Sequence, residues 1–221
     1  MASSLHEAVK VQQHLARISV CAIADAMAKL NIQGHLLDIS LVRGLEVADI
    51  CGPALTVQVV PTKGCKVNKL PYHYIDEIEK GQVIVISAPE GSTFGVFGGL
   101  LATAAKARGA AGVITDGRVR DVQEIRSIGL PTFSRGTSVH GQRGKSTIAD
   151  VNCPVVVGGC VIRCNDIIRA DCNGVIVIPN EHATEIASKA EVIEKQDDKI
   201  AEAVKQGAML KHSFERFRAK M

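Results

Sequence analysis

The sequence predicts a mixed α/β fold ending in a long helix, and three observations carry that expectation. Short apolar runs rich in β-branched residues recur: GQVIVIS at 81–87, GVIT at 112–115 and GVIVIP at 174–179 are continuous enough to be buried strands. Another, CGPALTVQVVP at 51–61, alternates apolar and polar positions as a half-buried strand does. Third, residues 181–205 form one charged helix whose apolar stripe is Ile186, Ala190, Ile193, Ile200 and Val204. Strands interleaved with few helices fit either a Rossmann-like open sheet or a layered β/β/α arrangement, and the pattern alone does not separate them.

The remaining elements follow in chain order. Residues 5–15 carry a mildly amphipathic helical pattern, an extension over 1–17 that would pack on the surface or on a partner. Ser19 is a plausible N-cap for a helix over 20–30, and Asn31 to Gly34 end it. After the strand at 51–61, a loop through Lys63, Gly64 and Asn68 leads to a helix at 72–79 with Tyr74, Ile75 and Ile78 on its apolar face. A glycine-rich loop at 91–99 precedes a helix at 100–108, closed by Gly109 as C′ residue. A short helix after Asp121, running to Ile128, is followed by a strand at 129–133, a turn at Ser134-Arg135-Gly136 and an exposed connection over 141–152. Residues 154–161 are strongly β-like, with Gly158-Gly159 as a bulge or close backbone approach, and 174–179 is the last strand.

Composition narrows the function. An apolar content of 46% with 22% charged residues supports a proper core, and no linker divides the 221 residues, so 1–221 reads as a single domain. Only 3% of residues are aromatic, none is Trp, and the net charge of +3 is scattered, which argues against nucleic-acid binding. Seven cysteines without a C-x-x-C spacing suggest small buried residues instead of a zinc site or disulfide framework. No apolar run reaches membrane length and the first residues lack a signal-peptide core, so the expected compartment is the cytosol.

The chemistry concentrates between residues 89 and 124. Gly91, Gly95, Gly98 and Gly99 form a loop that opens a helix, and the free N–H groups there favour an anion. The strand at 112–115 delivers Asp116 and then Arg120 and Asp121 at its carboxyl end, with Glu124 three residues on. If Asp121 to Arg126 is helical, Asp121 and Glu124 share a face, as metal ligands or as ligand plus base. An anion cradle, a bidentate arginine and hard oxygen donors suit metal-assisted chemistry on a small carboxylate or oxoacid. Competing sites are poorly supported: the histidines form no H-x-x-x-H or H-E-x-x-H, no serine lies in G-x-S-x-G, and Lys106 sits at an exposed helix position unsuited to imine chemistry.

The stretch GGLLATAAKARGAAGVITDGRVRDVQEIRSIGLPTFSRGTS, residues 98–138, resembles the signature of the RraA-like family, densely over 91–138 and more loosely over 18–179. That family includes 4-hydroxy-4-methyl-2-oxoglutarate aldolases with oxaloacetate decarboxylase activity, and regulators of ribonuclease activity. The resemblance implies the layered β/β/α (swivelling-domain-like) fold with a terminal helix over 181–206. It also implies a homotrimer or homohexamer whose active sites lie at subunit interfaces, completed by a carboxylate of the neighbour's terminal helix, Glu194 or Asp197. Many of these aldolases carry an acidic residue twenty-one positions before the arginine. Here that position is Gly99, and Gly99, Arg120, Asp121 and Glu124 instead fit the family's second pattern.

On this resemblance the chain is a divalent-metal-dependent lyase that cleaves short 2-oxoacids through a pyruvate enolate. Asp121 would hold Mg²⁺ or Mn²⁺, with Glu124 in the metal shell or in proton transfer. The amides of Gly98, Gly99, Leu100 and Leu101 would grip the substrate, and Arg120 would fix its carboxylate and offset enolate charge. Asp116 would stand behind these groups. The alternative is a regulatory or binding protein of the ribonuclease-inhibitor type. A methyltransferase is not supported, since no glycine-rich adenosylmethionine loop with a following acidic residue is present.

Overall fold

The computed structural model describes residues 2–46, 49–65 and 70–218; Asn68 lies outside them. Helix α1 (Ala2–Leu15) leads into α2 (Val20–Lys29), where the Ser19 side chain accepts from the Ala22 N–H at 3.2 Å, as a cap should. Strands β1 (Ser40–Leu41), β2 (Ile50–Pro61), β3 (Val83–Ser87) and β4 (Gly95–Phe97) follow, with a 3₁₀ turn at Tyr74–Glu77. Next come α3 (Gly99–Ala107), β5 (Gly112–Val119), α4 (Val122–Ile128), β6 (Thr132–Thr137) and β7 (Ser146–Val151). The chain ends with β8 (Val155–Val157), β9 (Cys160–Ile162), β10 (Ile167–Asp171), β11 (Gly174–Ile178), α5 (Ala183–Lys205) and α6 (Leu210–Phe217).

The main sheet runs β1-β6-β5-β3-β2-β10-β11, with β4 added to β5 and β7 to β2. Its centre, β2-β3-β5-β6, is parallel, and β10 and β11 are antiparallel additions. One short segment nearly closes it. Val177 N–H donates to Gly34 O at 2.8 Å and Leu36 N–H to Val175 O at 3.0 Å, and a few residues later β1 pairs with β6. Gly34 is required by that approach, because a Cβ there would lie 2.2 Å from the Val177 carbonyl oxygen.

Alternation along the strands then divides the core. Val83 and Val85 point inward with Ile114, Phe133, Ile168 and Val175, while Ile84 and Ile86 point outward with Val113, Val119 and the α3 and α4 residues Ala102, Ala105 and Ile125. A strand buried on both faces needs apolar residues at every position, which is why VIVI is continuous. The outer face of β10 and β11 is covered by α1, α2 and α5, through Leu15, Ile23, Met27, Ile186, Ala190 and Ile193. The two β-layers of the expected arrangement are thus two sides of one nearly closed sheet, with the helices outside and the long C-terminal helix in place.

Several local expectations are corrected. The helix at 72–79 is only a 3₁₀ turn, although Tyr74, Ile75 and Ile78 are buried as expected. The strand at 112–115 runs on to Val119, so Asp116 and Arg118 are strand residues, not loop. The strand after α4 is displaced: Gly129 is the left-handed C-cap of that helix, and Ser134-Arg135-Gly136 continues β6 instead of turning. The connection over 141–152 contains β7, paired with β2. Gly158-Gly159, with φ of 57° and 85°, is the two-residue turn of the β8–β9 hairpin, the type I′ geometry that needs two positive φ values. No cysteine is fully buried. Cys21, between buried Val20 and Ala22, faces out because neighbours on a helix do not share a face. Strands β1, β4 and β10 and helix α6 were not anticipated, and Val204 of the expected stripe is exposed.

Candidate active site

Pairing of β4 with β5 builds the site. Gly95 lies opposite Arg118 and Phe97 opposite Val119, and the Arg120 N–H donates to Phe97 O at 3.0 Å. The start of α3 is therefore held beside the residues that leave β5. Asp121 takes a left-handed conformation, φ 58° and ψ 43°, at the N-cap of α4. Aspartate tolerates this region better than most residues. Its carboxylate does not cap its own helix. It turns back toward α3, where Oδ2 accepts from the Gly99 N–H at 3.2 Å and from Arg120 Nε at 3.1 Å. The short helix expected after Asp121 forms, but Asp121 itself lies outside it, so Asp121 and Glu124 meet through this turn, not through a shared helical face.

Glycines shape the rest. A Cβ on Gly99 would stand 1.8 Å from Glu124 Oε2, and one on Gly98 2.7 Å from Asp121 Oδ2. Both carboxylates thus crowd the same bare stretch of backbone. The Arg120 side chain runs along Gly95, Gly98 and Gly141, where added Cβ atoms would lie 3.3 Å from its Cβ, 3.0 Å from its Cγ and 2.8 Å from its Nη1. Gly141 was missed because only the isolated bridge between Gly95 and Gly141 brings it there. Of the four amides expected to grip a substrate, that of Gly99 is already spent on Asp121. The N–H groups of Leu100 and Leu101, in the first turn of α3, have no acceptor among the described residues, so they and the helix dipole remain for an anion. The Arg120–Asp121 pair is part-exposed, 44% and 31%, and so contributes about 0–1 kcal/mol to stability.

Arg120, Asp121, Glu124, Gly98, Gly99, Leu100 and Leu101 therefore come together, and other expected residues do not. Asp116 accepts from the Ala88 N–H at 2.8 Å and faces a recess that none of Arg120, Asp121 and Glu124 lines. Burial pushes its carboxyl above the usual range, opposed by the Ala88 N–H and the charge of Arg135. Within the chain Glu194 accepts from the Ser19 N–H at 2.9 Å, and Asp197 pairs with Arg218 at 3.2 Å. Lys106 is exposed and donates to Gly129 O. Burial pushes the Cys51 thiol up to about 11, which disfavours the thiolate. Among the described residues no three His, Cys, Asp or Glu side chains group as a metal centre, and no helix is long and apolar enough to cross a membrane.

Comparison with known proteins identifies the family. The RraA-like family model, described as Aldolase/RraA, matches residues 20–177. A protein of Halalkalibacterium halodurans, provisionally named as a 4-hydroxy-4-methyl-2-oxoglutarate aldolase, is 34% identical over 160 residues, 72% of this chain and 74% of that protein. DlpA of Legionella pneumophila is 34% identical over 206 residues, 92% of this chain but only 33% of DlpA, so the chain spans about a third of that relative. Among solved structures, an uncharacterized Pseudomonas syringae protein superposes with a TM-score of 0.82 at 29% identity, covering 92% of this chain and 96% of that one. Streptomyces coelicolor RraAS2, described as an unusual member of the RNase ES inhibitor RraA family, gives 0.76 at 27% identity, covering 86% and 94%. By the family model matched over 20–177 and the 34% identity to a relative covered over 74% of its length, the chain belongs to the RraA-like family.

Proposed function

We propose that the chain is a lyase that cleaves short 2-oxoacids through a pyruvate enolate, as a 4-hydroxy-4-methyl-2-oxoglutarate aldolase, an oxaloacetate decarboxylase, or both. The observation that carries this reading is the convergence of Arg120, Asp121 and Glu124 on the glycine-opened start of α3. Two carboxylates meeting over bare backbone fit Mg²⁺ or Mn²⁺, which one or two carboxylates hold with water filling the remaining positions. Such an ion, when bound, supplies Lewis-acid polarisation of the substrate's keto oxygen. Asp121 and Glu124 would hold it. Arg120, fixed by Asp121 and by three glycines, clamps the substrate carboxylate and offsets the negative charge that develops as the C–C bond breaks. The free N–H groups of Leu100 and Leu101 orient that carboxylate, and Glu124, where it is not holding the ion, would move a proton at the enolate carbon. Retro-aldol cleavage and decarboxylation share the enolate, so one site serves both. Leu100, 86% exposed in the first turn of α3, supports completion of the site by a second copy in a trimer or hexamer.

The test is pyruvate release from oxaloacetate with added Mg²⁺ and then with excess chelator. Metal-dependent release above the free-metal background is expected, and Arg120→Ala should lower it by about a hundredfold or more with the fold intact. Full activity in that variant would remove Arg120 from the mechanism. The likeness to RraAS2 favours a second reading, a regulator acting by surface contact. Absence of release from folded, metal-loaded protein would leave that one standing.

A further inference from the structure

A second recess, of about 510 Å³, opens at the carboxyl ends of β3, β5 and β6. Strand alternation puts polar residues where the inward-facing row leaves the core. Ser87 follows Val85, Asp116 follows Ile114 and Arg135 follows Phe133, each two positions on. All three line the recess, with Arg118, the 88–93 loop and Val156 of the β8–β9 hairpin. Ser87 Oγ donates to Val156 O at 2.9 Å and so ties the hairpin across one side.

The donors here are largely unspent. Arg118 lies over Gly136, where a Cβ would be 2.9 Å from Nη1, and among the described residues its side chain donates only to Thr137 O, at 3.2 Å. Arg135 makes no hydrogen bond or ion pair among the described residues. The Asp116 carboxylate accepts from the Ala88 N–H at Oδ1 and from its own N–H, which leaves lone pairs over for a ligand. Two guanidiniums against Asp116 and the rim residue Glu90 make the lining formally neutral, which suits a singly charged anion better than a phosphate dianion. The remaining carboxylate lone pairs ask for a hydroxyl donor, and Val156 offers an apolar wall.

We infer that this recess is a binding site for a small hydroxycarboxylate. Its carboxylate lies between Arg118 and Arg135, and its hydroxyl donates to Asp116. This site is separate from the one containing Arg120 and does not rest on the lyase reading. The test therefore uses the Arg120→Ala protein, titrated calorimetrically with L-lactate, propionate and inorganic phosphate. Saturable millimolar binding of lactate is expected, one molecule per chain, with propionate and phosphate weaker. Replacing Arg118 or Arg135 by Met should weaken lactate binding by about tenfold or more, the loss typical of a charged hydrogen bond. Val156→Trp, a change at an exposed position that fills the recess, should abolish it without unfolding the chain. No saturable lactate binding, equal affinity for propionate, tighter binding of phosphate, or undiminished binding in correctly folded Arg118→Met, Arg135→Met and Val156→Trp would each overturn the assignment.

Discussion

Gly99 has no side chain, and the Glu124 carboxylate uses the room. Gly99→Ala places a methyl group 1.8 Å from Oε2, so Glu124 must swing away while the backbone stays helical. The expected result is a loss of oxaloacetate cleavage of about a hundredfold, the scale of a 1 Å misplacement in an active site. Glu124→Ala should be equally damaging alone, yet it clears space for Gly99→Asp, and the double variant should recover part of the activity. A double variant no better than Glu124→Ala would show that the two positions do not substitute for one another. Asp116 tests a different kind of residue-level effect. Its carboxyl value is raised, chiefly by burial, so the folded chain holds that proton to higher pH than the unfolded one. Stability from this group is present below the ordinary aspartate value and is lost as pH rises through the raised one. Asp116→Asn removes that dependence. Melting curves of the two proteins should therefore diverge in favour of the variant as pH climbs through that window, then run parallel. Curves parallel throughout would contradict it.

Helix α2 shows how much of an element is local. Ser19 caps it from within the sequence, but the Ser19 N–H is satisfied by Glu194 of α5, 175 residues away. Ser19→Ala should cost about 1 kcal/mol and lower Tm by a few degrees. A melting temperature unchanged within error would mean that tertiary packing alone holds the helix end. The β8–β9 hairpin divides its two glycines by role. Gly158 has positive φ and a Cβ there would lie 2.8 Å from the Leu36 Cα, whereas Gly159 faces open space. Gly158→Asn should therefore destabilise the protein well beyond Gly159→Asn, since Asn accepts positive φ but not a backbone collision. Equal melting temperatures would refute the contact. Motif spacing found the hairpin's strand character and its glycines. It could not tell a bulge from a turn, because both use glycine and only the pairing of Val157 with Cys160 decides.

For the molecule as a whole, the proposed metal would sit outside the core. Asp121 is part-exposed, Glu124 is exposed, and neither supports a buried group. Excess chelator should therefore abolish lyase activity and lower Tm only by the small mass-action contribution of a bound ligand. A cooperative loss of structure on chelation would make the metal structural. The packed interior behaves differently. Phe133 is fully buried inside the nearly closed sheet, and Phe133→Ala should cost about 3–5 kcal/mol.

Periodicity, caps and glycine spacing are local properties, and they determined α2, α3, α5, the buried strands β3 and β11, and the grouping of Arg120, Asp121 and Glu124 around Gly98 and Gly99. These residues lie within 27 positions of one another, and one strand-turn-helix unit is enough to assemble them. Tertiary structure alone decided the closure of the sheet through residues 34–41, the approach of Gly141 to Arg120, and the separation of Asp116 into its own recess. It also made a strand of β10, whose sequence IIRAD sets an arginine among buried apolar residues. Arg169 is 4% exposed there because carbonyls of Ile18, Ile50 and Ala170, with Asp49, satisfy its guanidinium. A charge can be buried only where distant partners surround it, and which partners those are is a property of the folded chain.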